Sequence, residues 1–289
     1  MKLSLAPDDF VFRVDHSEIE ELVEMALVED IGTGDVTTRA TVPFGQKARG
    51  EYRAKEDLTL AGIELLPLIF RIHGGNVDSL ELLFASGARV ERGSIVARVE
   101  GSAHTLLECE RVSLNFLQRL SGIATLTTEF VNRIAGTGCR ILDTRKTTPG
   151  WRKLEKMAVR AGGGTNHRQG LFDAILIKNN HISAAGGITP AIDQARKFGV
   201  PFEVEVRTLA ELDEALNAGA ERLLLDNLTP GDAHEWIRRI DGRASVELSG
   251  NITLETVADY ARTGATFVSS GALTHSVTAA DLHFALTLL

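Results

Sequence analysis

From Cys139 onward, short apolar runs alternate with amphipathic segments at a spacing of about 20 residues. The runs are "CRILDT", "DAILIK", "PFEVEV", "ERLLLD", "SVELS" and "TFVSS". A strand buried on both faces reads as such a near-continuous apolar run, whereas a half-exposed strand alternates. Between most of the runs lie segments of helical spacing: "TPAIDQARKFG", "TLAELDEALNAGA", "PGDAHEWIRRI" and "TLETVADYARTGA". Gly or Ala near several of their ends fits C-terminal capping. Repeated strand–helix units predict a parallel sheet with right-handed crossovers. Six units are too few for a closed eight-fold barrel, which leaves an incomplete barrel or an open doubly wound sheet.

The first 110 or so residues follow another rhythm. A helical segment, "SEIEELVEMALVED", opens onto a turn-rich stretch, "IGTGDVTTRATVP". Short β-like runs follow: "ARGEYRAKE", "LTLAGI", "VDSLELLF" and "SIVARVEGSAHTL", several of them separated by Gly and Asp or Asn. This predicts a small α+β domain on an antiparallel sheet. A helical stretch, "TLLECERVSLNFLQRL", leads out of it, with Leu106, Cys109, Val112, Leu117 and Leu120 near one face. The expected division is residues 1–115 and 116–289, with the last 15 or so residues packing back on the N-terminal domain.

Composition narrows the picture. The chain has 289 residues, 44% of them hydrophobic and 24% charged, with a formal net charge of -8. The acidic balance argues against nucleic acid as a partner. No apolar run reaches the roughly 18 residues that span a bilayer. The opening "MKLSLAPDDFVFRVDH" turns acidic too early for a signal peptide. Cys109 and Cys139 show no pairing pattern and read as buried small hydrophobes of a reducing compartment, so the expected location is cytoplasmic.

Against that acidic background, residues 140–178 hold nine Lys or Arg and three Asp or Glu. In parallel α/β folds the active site lies at the C-terminal ends of the strands. Each apolar run here ends in polar or small residues: Asp143-Thr144-Arg145-Lys146, Lys178-Asn179-Asn180-His181, Glu205, Asp226-Asn227, Ser249-Gly250-Asn251 and Ser270-Gly271. Arg152, Lys153, Lys156 and Arg160 read as a solvated helix face. Arg145, Lys146, Arg168 and Lys178 adjoin apolar strands or Gly-rich loops and read as an anion site, with His167 beside Arg168. Glu205 and Asp226 either pair with those cations or serve a Mg²⁺ and ribose. The two Ser-Gly ends suit close approach of backbone N–H groups to a phosphate. The glycines of "AGGGTNHRQG" do not have dinucleotide-fingerprint spacing.

Seven ordered motifs then carry a resemblance: "EDIGTGDVTT", "ERVSLNFLQRLSGIAT", "ILDTRKTTPGWRKLEKMAVRAGGGTNHR", "AILIKNNHI", "LLLDN", "ELSGNI" and "SSGALTHS". Together they resemble the quinolinate phosphoribosyltransferases over nearly the whole chain. The resemblance implies an incomplete α/β barrel with an N-terminal open-faced α/β sandwich. It implies transfer of the phosphoribosyl group of phosphoribosyl pyrophosphate to quinolinate, giving nicotinate mononucleotide, pyrophosphate and CO₂ in NAD biosynthesis. It further implies Mg²⁺ and a homodimer or higher oligomer with a shared active site. Arg145, Arg168 and Lys178 resemble the clamp on the quinolinate carboxylates, with His167 and Thr144 beside it. Arg111 resembles an arginine donated across the subunit interface. Lys146 resembles a lysine shared between quinolinate and sugar phosphate, and Glu205 and Asp226 the carboxylates at ribose and metal. Ser249, Gly250, Asn251, Ser270, Gly271 and Ala272 resemble the phosphate-binding ends. Asn179 departs from the pattern, since many relatives carry an acidic residue there.

The residues suit that chemistry on their own terms. Cleavage of the C1–pyrophosphate bond develops positive charge on the ribose, which Glu205 or Asp226 can stabilise. The pyridinium formed by attack of the ring nitrogen accepts the electrons released on loss of CO₂, so neither an organic cofactor nor a nucleophilic Ser or Cys is required. Lys146, Glu205 and Asp226 are therefore the catalytic candidates. Three other readings compete. A Schiff-base lyase using Lys178 leaves the Ser-Gly ends unexplained. A diverged, molybdenum-associated homologue fits "GGGTNHR" and "LIKNNHI" less closely. A pure anion-binding module has no use for carboxylates facing anions.

Overall fold

The structure is a computed structural model that describes residues 11–289; the first ten residues of the opening segment, read above as no signal peptide, lie outside the described residues. Its residues cluster into two compact units. One comprises the chain to Thr128, Thr148–Gly163 and Ser276–Leu289, and the other Glu129–Thr147 and Gly164–His275.

The first unit begins with α1 (Ser17–Ile31), which buries Ile19, Val23 and Leu27 at four-residue spacing along one stripe. The stretch expected to be a turn-rich loop contains a six-residue helix, α2 (Val36–Thr41). Its β-branched residues disguise it, and Asp35 starts it by accepting the Thr38 N–H at 3.0 Å. Then come β1 (Lys47–Ala54), β2 (Leu58–Thr59), α3 (Leu65–His73), β3 (Val77–Leu82), β4 (Arg89–Val90), β5 (Ile95–Ser102) and α4 (Ala103–Arg133). "LTLAGI" supplies only the two-residue β2, which pairs with β4. The antiparallel sheet runs β12-β1-β5-β3, where β12 is Leu282–Leu288. Strand β1 shows a half-buried rhythm: Ala48, Gly50, Tyr52 and Ala54 are buried, while Lys47, Arg49, Glu51 and Arg53 are more exposed. Helix α4 is unbroken across residues 115 and 116, and the division between the units falls within it. Leu106, Cys109, Val112, Leu117 and Leu120 are all buried on it.

Helix α5 (Arg152–Ala161) belongs to this unit and corrects one expectation. Lys156 is fully buried, not solvated. Its neighbour Glu155 is buried too, accepting from Arg119 Nη2 at 2.9 Å and from Thr148 Oγ1 at 2.9 Å. A helix face that buries charged groups against polar partners cannot be told from a solvated one by spacing alone.

The second unit is the parallel one. Its strands are β6 (Arg140–Leu142), β7 (Ile175–Ile177), β8 (Phe202–Val206), β9 (Arg222–Asp226), β10 (Ser245–Ser249) and β11 (Phe267–Ser269). All six coincide with the predicted apolar runs. Between them lie α6 (Asn179–Ala185), α7 (Ile188–Lys197), α8 (Leu209–Asn217), α9 (Pro230–Ile240) and α10 (Val257–Ala261), and α11 (Ala272–His275) follows β11. The sheet order is β6-β11-β10-β9-β8-β7, every pair parallel. The first strand thus joins the last, and the first and second are not paired with each other. That is a barrel left open at one seam. Thr165 partly fills the seam through a parallel bridge to Leu142.

Candidate active site

Period-two geometry determines which side chains share one face of this sheet. On β8 these are Glu203 and Glu205, on β9 Arg222, Leu224 and Asp226, on β10 Ser245, Glu247 and Ser249, and on β11 Phe267 and Ser269. The cross-strand register pairs Ser245 with Arg222, Glu247 with Leu224, Ser249 with Asp226 and Glu205 with Leu224, with Glu205 the last of these residues on β8 and Glu247 the last but one on β10. The last residues along the strands form the rim, and those before them form the layer beneath.

At the rim, Glu205 is almost fully buried. Arg207 Nη2 donates to its Oε1 at 2.6 Å, and Lys178 Nζ stands 3.5 Å from its Oε2. Asp226, one strand over, accepts from Asn227 Nδ2 at 2.8 Å. The two expected carboxylates therefore sit on adjacent strand ends, one of them already between cations. Arg207 is a member of this group that the sequence reading did not single out.

The cation-rich segment is organised by a buried carboxylate. Asp143 is fully buried at the end of β6. Its Oδ1 accepts the His167 backbone N–H at 2.8 Å and its Oδ2 accepts Asn166 Nδ2 at 2.6 Å. This ties the turn after Thr165 to the strand that leads into Arg145. Arg168 Nη1 donates to the Ala174 carbonyl at 3.1 Å. Burial, and after it the positive charge of Arg145, holds the Arg168 guanidinium below its ordinary pKa. The two guanidiniums, from separate segments, disfavour each other's charge, while Asp173 and Glu203 act on Arg168 in the opposite direction. Thr144 Oγ1 accepts the Lys146 N–H at 3.0 Å, bracing the turn.

The late strand ends are built for close backbone approach. Asn227 and Asn251 have φ of 59° and 50°, a region that Asn enters more readily than most residues. At Gly250, φ is 111° and an added Cβ would lie 2.8 Å from the Asn227 backbone nitrogen, so no side chain fits. At Gly271 a Cβ would meet the Lys146 side chain at 3.0 Å and the His275 ring at 2.8 Å. The Thr274 hydroxyl donates to the Lys146 carbonyl at 2.7 Å, and the Ser270 hydroxyl to the Ile252 carbonyl at 2.7 Å. The segment 270–272 therefore lies against Lys146. Arg111 is an exposed residue of α4 in the other unit.

Beneath the rim lies a buried charge cluster that sequence reading missed. Arg222 Nε donates to Glu203 Oε1 at 3.0 Å and its Nη2 to Glu247 Oε2 at 3.1 Å. His167 Nε2 stands 3.3 Å from Glu203 Oε2 and 3.5 Å from Glu247 Oε2. Burial raises the Glu203 pKa, but His167 and Arg222 outweigh it and hold the carboxyl below its ordinary range. Burial, reinforced by Glu203, pushes Glu247 up to about 7. His167, Glu203 and Glu247 have the spacing of a metal site. Arg222, bridging both carboxylates, already takes the cationic place there.

The parallel barrel, with cations and carboxylates gathered at the ends of its strands, suits an α/β-barrel enzyme of anionic substrates. Comparison with known proteins defines it further. Residues 35–121 match the family description "Quinolinate phosphoribosyl transferase, N-terminal domain", and residues 123–285 match its C-terminal domain. The chain is 44% identical to the chloroplastic nicotinate-nucleotide pyrophosphorylase [carboxylating] of Arabidopsis thaliana, over 92% of this chain and 82% of that protein. It is 42% identical to the probable nicotinate-nucleotide pyrophosphorylase [carboxylating] of Bacillus subtilis, over 95% and 96%. The crystal structure of NadC from Streptococcus pyogenes superposes with a TM-score of 0.89 at 40% identity, covering 94% of this chain and 97% of that one. The chain belongs to the quinolinate phosphoribosyltransferase family, the carboxylating nicotinate-nucleotide pyrophosphorylases of NAD biosynthesis.

Proposed function

We propose that the barrel rim transfers the phosphoribosyl group of phosphoribosyl pyrophosphate to quinolinate and releases pyrophosphate, CO₂ and nicotinate mononucleotide. The observation that carries this division of labour is the opposition of charge around one rim. Arg145 and Arg168 repel each other on one side, and Glu205 and Asp226 stand at adjacent strand ends on the other. Arg145, Arg168 and Lys178 hold the two quinolinate carboxylates, with His167 and Thr144 supporting that arm. Lys146 lies against residues 270–272 and joins the quinolinate side to the sugar phosphate. The ends Ser249-Gly250-Asn251 and Ser270-Gly271-Ala272 offer backbone N–H groups to phosphate oxygens.

The donor set fits Mg²⁺ carried by substrate phosphates, which needs only one or two protein carboxylates. Asp226 suits direct or water-mediated contact. Both oxygens of Glu205 already face cations, which suits the ribose and a water-mediated role. Bound there, Mg²⁺ supplies charge neutralisation to the pyrophosphate. As the C1–oxygen bond breaks, Glu205 and Asp226 face the positive charge developing on the ribose. The pyridine nitrogen takes C1. The bond to the 2-carboxylate then gives its electron pair to the ring as CO₂ departs, and C2 takes a proton.

Arg111 reaches a partner subunit's barrel in this reading, so the functional unit is a homodimer or larger. Among the described residues no helix is long and apolar enough to cross a membrane. A cytoplasmic location is the reading for this chain, although the Arabidopsis relative is chloroplastic. The test is incubation with quinolinate, phosphoribosyl pyrophosphate and Mg²⁺, assayed for nicotinate mononucleotide and CO₂. Formation of both products supports the reading, and their absence from folded protein overturns it.

A further inference from the structure

The layer beneath the rim raises a separate question. A barrel interior is ordinarily filled by branched apolar side chains. Here it holds Glu203, Glu247 and Arg222, with the two glutamates buried and the arginine three-quarters so. Buried ion pairs are poor sources of stability, and apolar side chains of similar volume often serve as well or better. Stability alone therefore gives no reason for this filling.

What the cluster grips is the arm that carries Arg168. Three interactions fix His167. Its backbone N–H donates to Asp143 Oδ1 at 2.8 Å, its Nδ1 accepts the Arg168 backbone N–H at 2.6 Å, and its Nε2 faces Glu203 and Glu247. The Arg168 N–H at Nδ1 favours the neutral ring, and the two carboxylates at Nε2 favour the cation. In either form the Nε2 proton points at Glu203 and Glu247. Burial opposes the charged ring, but the Glu203 hydrogen bond and the Glu247 charge outweigh it and raise the pKa above the ordinary value. Arg222 is itself supported from the side, its guanidinium lying 4.8 Å from the Phe267 ring centroid, with Arg140 4.7 Å from the same centroid.

We propose that Glu203, Glu247 and Arg222 are positioning residues for the reaction: a buried ion network that locks the His167 ring and through it sets the place of Arg168 in the quinolinate clamp. This rests on the proposed reading that Arg168 holds quinolinate. None of the three touches substrate. They act through a backbone hydrogen bond from the residue that does. On the sugar-phosphate side, Arg222 and Glu247 stand one layer below the ends of β9 and β10, and Ser269 at the end of β11 also hydrogen-bonds Glu247, whereas the contact to the Arg168 arm runs directly through the His167 ring. The network should therefore act on quinolinate before it acts on the phosphoribosyl donor.

Glu247→Gln tests it, because it keeps the shape and removes the charge that Arg222 and His167 share. Calorimetry on the whole protein gives the quinolinate Kd, and steady-state kinetics give the KM for phosphoribosyl pyrophosphate. The expected result is quinolinate binding weakened by roughly tenfold or more, as for loss of a charge-assisted contact. The KM for phosphoribosyl pyrophosphate should stay within about twofold, as for an independent site. A folded variant with unchanged quinolinate affinity overturns the proposal, and so does an equal rise in both constants. If Glu247→Gln does not fold, Arg222→Lys provides the same test, keeping the cation and losing the fork that bridges both carboxylates. Arg168→Ala separates the two levels of the argument. If it leaves quinolinate affinity intact, the reading of the clamp has failed. If it weakens quinolinate while Glu247→Gln does not, the clamp stands and the positioning network falls.

Discussion

Replacing Glu205 by Gln keeps its size and removes its charge, and the geometry around it determines what should follow. Glu205 is held between Arg207 at 2.6 Å and Lys178 at 3.5 Å. At 3.5 Å the Lys178 attraction is roughly 5 kcal/mol for an effective dielectric of about 20 and about 1 kcal/mol in water. Lys178 is half exposed, so the lower figure governs. A neutral residue 205 releases that hold and leaves Lys178 free for quinolinate. Quinolinate affinity should therefore stay the same or tighten by up to about fivefold, the equivalent of about 1 kcal/mol. Cleavage of the C1–pyrophosphate bond should fall by about 10²–10³, as on loss of one preorganised electrostatic group. Calorimetric titration of quinolinate and single-turnover kinetics on the same protein separate the two effects. A collapse of quinolinate affinity with cleavage intact would place Glu205 on the quinolinate side and refute the division of the rim.

Quinolinate should be turned over at least tenfold to a hundredfold better than nicotinate, because each lost charge-assisted contact to the 2-carboxylate costs roughly 1.5–3 kcal/mol; equal turnover in a competition assay counts against the clamp. Mixing inactive Arg111→Ala with inactive Lys178→Ala should restore activity in hybrid oligomers, and no restoration after verified subunit exchange would put Arg111 outside the site. Stability should carry a pH slope from the buried cluster. Glu247 is pushed up to about 7 by burial and by Glu203, so the native state holds its proton more tightly than the unfolded state does. Its contribution is complete below about pH 4.5, the unfolded carboxyl range, and is lost as pH rises toward 7. The raised His167 pKa adds the same sign at higher pH, and Glu203, held low, adds the opposite sign in acid. Melting temperatures between pH 5 and 8 should show a shallower fall in Glu247→Gln than in the unaltered protein.

The parallel unit was legible because its strands are buried on both faces, so hydrophobicity marks each one from end to end. All six runs, from "CRILDT" to "TFVSS", became strands. The N-terminal unit was harder for a physical reason. Its elements are short and their signals mixed. Helix α3 carries Pro67, which discourages a helical reading, yet the proline lies in the first turn, where its missing N–H costs nothing. "IGTGDVTTRATVP" looks like a loop because β-branched residues are weak helix formers, and only the Asp35 cap reveals α2.

The site divides along the same physical line. Side chains at the ends of strands announce themselves, because a polar residue after an apolar run has no packing explanation. Charged residues inside a run do not. "FEVEV" carries Glu203 and Glu205 in identical local contexts, and only the layer each occupies distinguishes them: Glu205 meets Lys178 and Arg207 at the rim, whereas Glu203 meets His167 and Arg222 beneath it. No count along the chain can bring His167, Glu203, Arg222 and Glu247 together, since they come from a seam loop and three different strands. The acidic chain therefore solves two problems with one topology. In the proposed reading its rim gathers cations for anionic substrates, and carboxylates one layer down hold part of that rim in place. Asp143 holds the His167 backbone and the Glu203–Glu247 pair faces the ring whose Nδ1 accepts the Arg168 N–H, so in the proposed reading the Arg168 arm is braced from behind before a dicarboxylate enters.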